Sequence, residues 1–123
     1  KFTALVVLDN APLIEFVKAV DMSYINSETV VCHHVTLAYD TEVSRVAEGE
    51  YCTVSIDAFV LDNKTGSSAF RVCEIMDSSG QSIEVVGGKP HITAAVAPGC
   101  RPADSKKFVF NENGDDVVVI VCN

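Results

Sequence analysis

The stretch YCTVSIDAFVL at 51–61, followed by DNKTG at 62–66 and AFRVCEIM at 69–76, decides the fold class of this chain. Both outer runs alternate apolar and polar residues, which is the pattern of half-buried antiparallel strands. The Asp, Asn and Gly between them are typical turn residues. The stretch therefore predicts a β-hairpin.

Outward from this hairpin, β-branched and apolar runs predict four further strands, at 2–8, 29–39, 91–96 and 116–122. Apolar residues at helical spacing predict a helix over 11–21, and 98–107 is predicted to hold one helical turn. The last strand is apolar throughout, so we expect it to be central in the sheet.

The order of these elements predicts an α+β fold. We expect one compact domain over 1–123, built on a curved, mainly antiparallel sheet with an N-terminal helix and a short second helix. Because the sequence opens at Lys1 rather than Met, we also expect the domain to be excised from a longer protein. We expect a monomer.

Composition narrows the class of partner. No apolar run approaches the roughly 18 residues of a membrane span, so no membrane contact is expected. The formal net charge of −8 disfavours binding along a nucleic-acid backbone, which relies on many Lys and Arg contacts. If the ligand derives from RNA, we expect the protein to bind a terminus or a small nucleotide.

The five cysteines are spread along the chain without a CxxC pair. An odd count disfavours a disulfide framework, and the wide spacing disfavours a zinc site. We expect reduced cysteines, of which Cys32, Cys52, Cys73 and Cys122 lie within predicted strands as small buried hydrophobes. Reduced thiols predict an intracellular protein, cytoplasmic or nuclear.

One pattern occurs twice and carries the chemistry. His34-Val35-Thr36 and His91-Ile92-Thr93 are both His-x-Thr with a β-branched middle residue, inside predicted strands. Residues i and i+2 of a strand share a face, so each His projects beside its Thr. If the two strands are neighbours, two imidazoles and two hydroxyls line one groove.

Those groups suit displacement at a phosphodiester. One neutral His can take a proton from water while the other, protonated, gives one to the departing oxygen; both tasks need a pKa near neutrality, and that of free His is about 6.5. The hydroxyls can donate to the phosphoryl oxygens. We expect neither a metal ion nor another cofactor.

The pair of motifs resembles the signature of the two-histidine (2H) phosphoesterases. More closely, HHVTLAYD at 33–40, VSIDAFVLDNKTGSSAFRV at 54–72 and GGKPHITAAVAPG at 87–99 look like the cyclic phosphodiesterase domain of plant-type tRNA ligases. The resemblance runs from about Val31 to Lys107. It implies a hydrolase of RNA processing and repair, with a 2H-phosphoesterase-like fold.

The resemblance also implies a reaction and roles. A 2′,3′-cyclic phosphate at an RNA terminus or on a small nucleotide is opened to a 2′-phosphate and a free 3′-hydroxyl. His34 and His91 are the implied acid–base pair, with His91 activating water and His34 protonating the 3′ oxygen. Thr36 and Thr93 are the implied phosphate ligands.

Other interpretations of these residues stay open. Each His can be a core histidine bonded to the backbone, and His33 is expected on the opposite face from His34. Tyr39 can stack on a base or simply end a strand. Lys89 and Arg101 flank the second motif and can hold phosphate or face solvent.

Two other functions also stay open. The same residues suit a phosphodiesterase that cuts 2′,5′-oligoadenylates. Alternatively, the domain binds nucleotides or RNA ends without catalysis, with the histidines serving only as ligands. Assays with both phosphodiester substrates distinguish the cyclic phosphodiesterase from the oligoadenylate phosphodiesterase. Nucleotide binding without product would support the non-catalytic binding module.

Overall fold

The computed structural model describes residues 2–20, 29–39, 46–85, 88–110 and 117–121. Within these ranges the chain forms an α+β fold with a single sheet and two helices. The strands are β1 (Phe2–Val6), β2 (Thr29–Val30), β3 (His34–Tyr39), β4 (Thr53–Asp62), β5 (Ser68–Met76), β6 (His91–Val96) and β7 (Val117–Val121). The helices are α1 (Ala11–Val20) and a 3₁₀ helix (Pro102–Lys107).

The seven described strands form one sheet in the order β1-β3-β6-β5-β4-β7, with β2 pairing separately with β6. All their pairings are antiparallel. The predicted hairpin is confirmed as β4 and β5, and its turn is closed by the Gly66 amide donating to the Asp62 carbonyl over 2.7 Å. Gly66 has a φ of 93°, a left-handed conformation that glycine adopts without a steric cost.

The main core lies between α1 and one face of the sheet, which we call the helix face. Val17 of α1 is fully buried there, and Phe16 packs edge-on against Phe59 with ring centroids 5.5 Å apart. Val35 and Ile92 project into the same core. The helix begins where Asp9 Oδ1 accepts a hydrogen bond from the Ala11 amide, a contact that satisfies one exposed donor of the first turn.

The opposite side of the sheet, which we call the site face, has a smaller core. Ala58, Val60 and Ala69 pack there against Phe108 and Val109, which follow the 3₁₀ helix. Because strand residues alternate between faces, the neighbours of Val35 and Ile92 belong to this side. The site face therefore carries both His-x-Thr motifs.

Two predictions about strands are wrong. The run 29–39 is interrupted at 31–33, where Cys32 has a φ of 45°. The final strand β7 lies at one end of the described strand order, paired with β4, and not in the centre. Apolar side chains on both faces of a strand indicate only that those faces are covered. They do not indicate that the strand has a neighbouring strand on each side.

The cysteines follow their prediction only in part. The thiols of Cys32, Cys52, Cys73 and Cys100 are free. Cys32 is fully buried, but Cys73 is exposed and its Sγ lies 3.4 Å from the Ser55 carbonyl oxygen. Cys122 lies outside the described residues. Among the helices of the described part, none is long and apolar enough to cross a membrane.

Candidate active site

The two motif strands are neighbours, as the repeated pattern predicts. Strands β3 and β6 pair antiparallel with Val35 opposite Ile92, the middle residues of the two motifs. Continued by one residue in each direction, this register sets position 34 opposite Thr93 and position 36 opposite His91. The imidazoles are then diagonal neighbours, whose backbones lie typically about 7–8 Å apart. That spacing leaves room for a ligand between them.

His91 is half-buried, and its ring is fixed by the backbone. Its Nδ1 lies 2.8 Å from the Lys89 carbonyl oxygen. A carbonyl can only accept, so Nδ1–H is the donor and Nε2 of the neutral ring carries the free lone pair. Burial lowers the pKa of His91; the Lys89 carbonyl partly opposes this, and the charge of Lys106 lowers the pKa further. The group is therefore a neutral proton acceptor at pH 7.

His34 is also half-buried, and its pKa is lowered as well. Burial is the largest cause, followed by the positive charges of His33 and His91. The charge of His91 thus acts on His34 through space. In the free protein at neutral pH both rings are therefore neutral.

The prediction that His33 points away from His34 is wrong. His33 is exposed, but its Nδ1 lies 3.0 Å from Nδ1 of His34, and the two rings meet edge to face with centroids 5.2 Å apart. The reason is that β3 begins only at His34, after the left-handed Cys32. Strand alternation therefore does not extend to His33.

The two threonines have different surroundings. Thr36 is half-buried and pairs with Ala4 of β1. Thr93 is buried, and its hydroxyl lies 3.1 Å from Oγ of Ser105 and 3.3 Å from the Pro102 carbonyl oxygen. Thr93 thus bonds the 3₁₀ helix to β6, and its hydroxyl already has two polar partners.

Three further candidates were named from the sequence. Lys89 is exposed with a φ of 57°, and it reaches the site through its carbonyl contact with His91. Arg101 is exposed, and its amide donates to the Asp104 carboxylate over 2.9 Å at the start of the 3₁₀ helix. Tyr39 is the last residue of β3, opposite Phe2, and its side chain lies outside the described part.

Sequence reasoning missed two cationic residues near His91. Arg71 of β5 is the direct strand partner of His91, and its guanidinium bonds both carboxylate oxygens of Asp57, at 2.9 and 3.3 Å. Lys106 of the 3₁₀ helix is the cation whose charge lowers the pKa of His91. For Arg71, the available signal in the sequence was the presence of opposite charges on the two hairpin strands. A register shift between Ile56 and Ala58 is what brings Asp57 to Arg71, and the sequence pattern does not reveal it.

A large cavity lies elsewhere. It has a volume of about 960 Å³ and opens beside β1, the start of α1 and residues 46–56, with Val35 and Ile92 in its wall. Those two residues face the main core, so the cavity and the histidines lie on opposite sides of the sheet. The motif histidines and this cavity are therefore separate features.

In the described ranges, no group of three or more His, Cys, Asp or Glu side chains is gathered as metal ligands would be. Comparison of the chain with protein-family models, with curated proteins and with solved structures gives no match.

Proposed function

We propose that the protein is a 2H-type phosphoesterase that opens 2′,3′-cyclic phosphates at RNA ends or on small nucleotides. The observation that carries the proposal is the pairing of Val35 with Ile92, because it makes two distant His-x-Thr motifs neighbours on the site face. A chance pair of half-buried strand histidines has no reason to share this register. The resemblance to the cyclic phosphodiesterase domain of plant-type tRNA ligases supplies the choice of substrate.

In the proposed reaction His91 is the base. Its Nε2 accepts a proton from water, and the oxygen of that water attacks phosphorus. The bond from phosphorus to the 3′ oxygen breaks, and His34 in its protonated form gives a proton to that oxygen. The products are a 2′-phosphate and a 3′-hydroxyl. The bond from Nδ1–H of His91 to the Lys89 carbonyl supports this assignment, since it leaves Nε2 as the acceptor.

The acid must first gain its proton. The pKa of His34 is lowered in the free protein, so the ring is mostly neutral at pH 7. A phosphodiester carries a negative charge, and an anion between the rings favours the protonated form of His34. Binding of substrate thus charges the group that will protonate the leaving oxygen.

Two groups are available for the phosphoryl oxygens. Thr36 is half-buried on the site face, and Lys106 supplies a positive charge near His91. Thr93 can donate to phosphate only by giving up one of its contacts with the 3₁₀ helix. We therefore assign the larger share of phosphate binding to Thr36 and assign Thr93 a role in holding the helix against the site.

The test is hydrolysis of nucleoside 2′,3′-cyclic phosphates by the purified chain, with and without EDTA. We expect a 2′-phosphate product and activity that survives EDTA. His34→Ala and His91→Ala should each lower kcat by about 10²–10⁴, the usual contribution of one acid–base group. Lys64→Ala, at the exposed turn of the β4–β5 hairpin, is the matched control and should keep full activity.

The same assay separates the alternatives. Turnover of 2′,5′-oligoadenylate in preference to the cyclic phosphate would change the substrate but keep the site. Tight binding of a nucleotide without any product, by a folded preparation, would replace the enzyme with a binding module.

A further inference from the structure

The cavity on the helix face takes no part in the proposed reaction, and most of its lining is apolar. Its volume of about 960 Å³ lies at the upper end of the roughly 300–1,000 Å³ that is usual for small-molecule sites. Val35, Leu37 and Ile92 of the main core line it and are at most 2% exposed. Further lining comes from the half-buried side chains of Leu5, Val7, Leu13, Val46, Val54 and Ile56.

The apolar lining extends to the surface of the protein. Leu8, which follows β1, is 82% exposed, and Tyr51, which precedes β4, is 74% exposed. Apolar walls favour an apolar occupant over water, because an ordered water molecule needs about two to four polar partners. A molecule with an apolar body would therefore gain contacts both inside the cavity and at its rim.

The charged side chains that line the cavity all carry the same sign. Among its described lining residues, Asp9, Glu48 and Glu50 are acidic, and none is Lys, Arg or His. The net charge of −8 adds to this negative potential. The cavity therefore attracts a cationic group and repels an anionic one.

Hydrogen bonds hold two of these carboxylates in place. Oε1 of Glu50 accepts from the Ala47 amide over 3.1 Å, and Oε2 accepts from the amide and the hydroxyl of Ser78 over 3.1 and 2.7 Å. The bonds from Ser78 and Ala47 lower the pKa of Glu50, and the Ser78 hydroxyl is the largest cause. Oδ1 of Asp9 accepts from the Ala11 amide over 3.1 Å. Since all these donors are uncharged, the carboxylates keep their negative charge beside the cavity.

We propose that this cavity binds a small apolar molecule with a positive charge at one end, such as an amine with a long alkyl chain. The apolar body lies against the core residues of the helix face, and the ammonium group lies beside the carboxylates. The inference does not rest on the proposed function, because the cavity and the motif histidines lie on opposite sides of the sheet.

Calorimetric titration with three probes that share a ten-carbon chain tests the class of ligand. At pH 7.5 decylamine is cationic, decanoate is anionic and 1-decanol is neutral, and all are kept below their micelle concentrations. We expect decylamine to bind about tenfold more tightly than decanoate or better, with 1-decanol between them. The difference should shrink in 500 mM salt, because salt screens the carboxylates. Decanoate binding as tightly as decylamine, or no binding of decylamine, would overturn the inference.

Methyl NMR locates the bound amine. We expect decylamine to shift the methyl resonances of Leu13 and Ile56 and to leave the ring resonances of His34 and His91 unchanged. Shifts at the imidazoles without shifts at these methyl groups would place the amine on the site face and overturn the inference. So would sedimentation that shows a dimer which takes up no decylamine, because a second copy of the chain would then cover the cavity.

Two matched variants test the charge. Glu48→Gln, at an exposed position that lines the cavity, should weaken decylamine binding by about threefold to tenfold and leave 1-decanol binding unchanged. Glu84→Gln removes the same charge at an exposed position that does not line the cavity, and it should bind decylamine as the wild type does. Equal affinity of the two variants for decylamine would overturn the assignment of a cationic ligand. Both changes are at exposed positions, and amide spectra will check that the variants are folded.

Discussion

Thr93 is a residue of the second motif whose hydroxyl also holds the fold together. Its hydroxyl and that of Ser105 are 3.1 Å apart, and both side chains are buried. Removal of one hydroxyl leaves the other without this partner inside the protein, which costs about 1–3 kcal/mol.

Thr93→Val should therefore lower the free energy of unfolding by about 1–3 kcal/mol, measured by urea denaturation. Ser105→Ala should lower it by a similar amount. The double variant should lose less than the sum of the two, because the second change removes no further contact between them. Additive losses would mean that the two hydroxyls do not stabilise each other.

The two site histidines also make stability depend on pH. Their pKa values are lowered in the folded chain, so the unfolded chain binds protons on these rings at higher pH than the folded chain does. Their contribution to stability is complete above the unfolded value of about 6.5 and is lost as pH falls below it, toward the folded values.

We therefore expect the free energy of unfolding to decrease between pH 7.5 and pH 5.5. His91→Asn should reduce the size of this decrease, whatever its effect on stability at pH 7.5. Urea denaturation curves at the two pH values measure both quantities. A decrease of the same size in His91→Asn would show that the proton uptake belongs to other groups.

At the level of elements, the interruption between β2 and β3 sets the geometry of the site. A left-handed conformation costs an ordinary residue roughly 1–2 kcal/mol, whereas glycine adopts it freely. Cys32 has this conformation and Ala94, in the adjacent strand β6, lies in a regular strand. The two buried positions form a natural comparison.

Cys32→Gly and Cys32→Ala should differ in stability by less than about 0.5 kcal/mol, because relief of the left-handed φ offsets the lost methyl group. Ala94→Gly should cost about 1–2 kcal/mol, since no such relief exists in a strand. Thermal or urea denaturation gives both differences. A large loss for Gly relative to Ala at position 32 would argue against the left-handed backbone.

The elements also show what sequence can and cannot predict. Strand β6 matches its predicted bounds, and α1 (Ala11–Val20) is helical over all of its predicted range that the structure describes, because the spacing of apolar residues reports local structure well. The neighbouring motif strands were predicted from a repeated pattern. The break at Cys32 was not, since no glycine or proline marks it. The contact of His33 with His34 and the ion pair of Arg71 with Asp57 depend on that break and on a register shift, so both were missed.

For the whole molecule, the negative net charge disfavours ligands with a long phosphate backbone. The net charge is −8, and the described cations near the histidines are few. Under the proposed function, the chain should therefore recognise the cyclic phosphate and its immediate nucleotide, and gain little affinity from a longer RNA backbone.

We expect KM to change little between a nucleoside 2′,3′-cyclic phosphate and a twenty-nucleotide RNA with the same terminus. Between 50 and 200 mM salt, kcat/KM should change only a few fold, against the roughly 10³–10⁵ lost in affinity by proteins with six to ten phosphate contacts. A steep salt dependence for the RNA, but not for the mononucleotide, would reveal an extended binding surface.

Under the proposed function, activity depends on the correct pairing of Val35 with Ile92. A slip of one residue along β3 would expose the apolar side chains of Val35 and Leu37 to solvent. The same slip would move His34 and Thr36 to the helix face, beside α1. A molecule with this wrong register would therefore lose both its solubility and its proposed activity. If the proposed reaction is the protein's own, fully active material is also correctly paired material, and a turnover assay measures the quality of refolded protein.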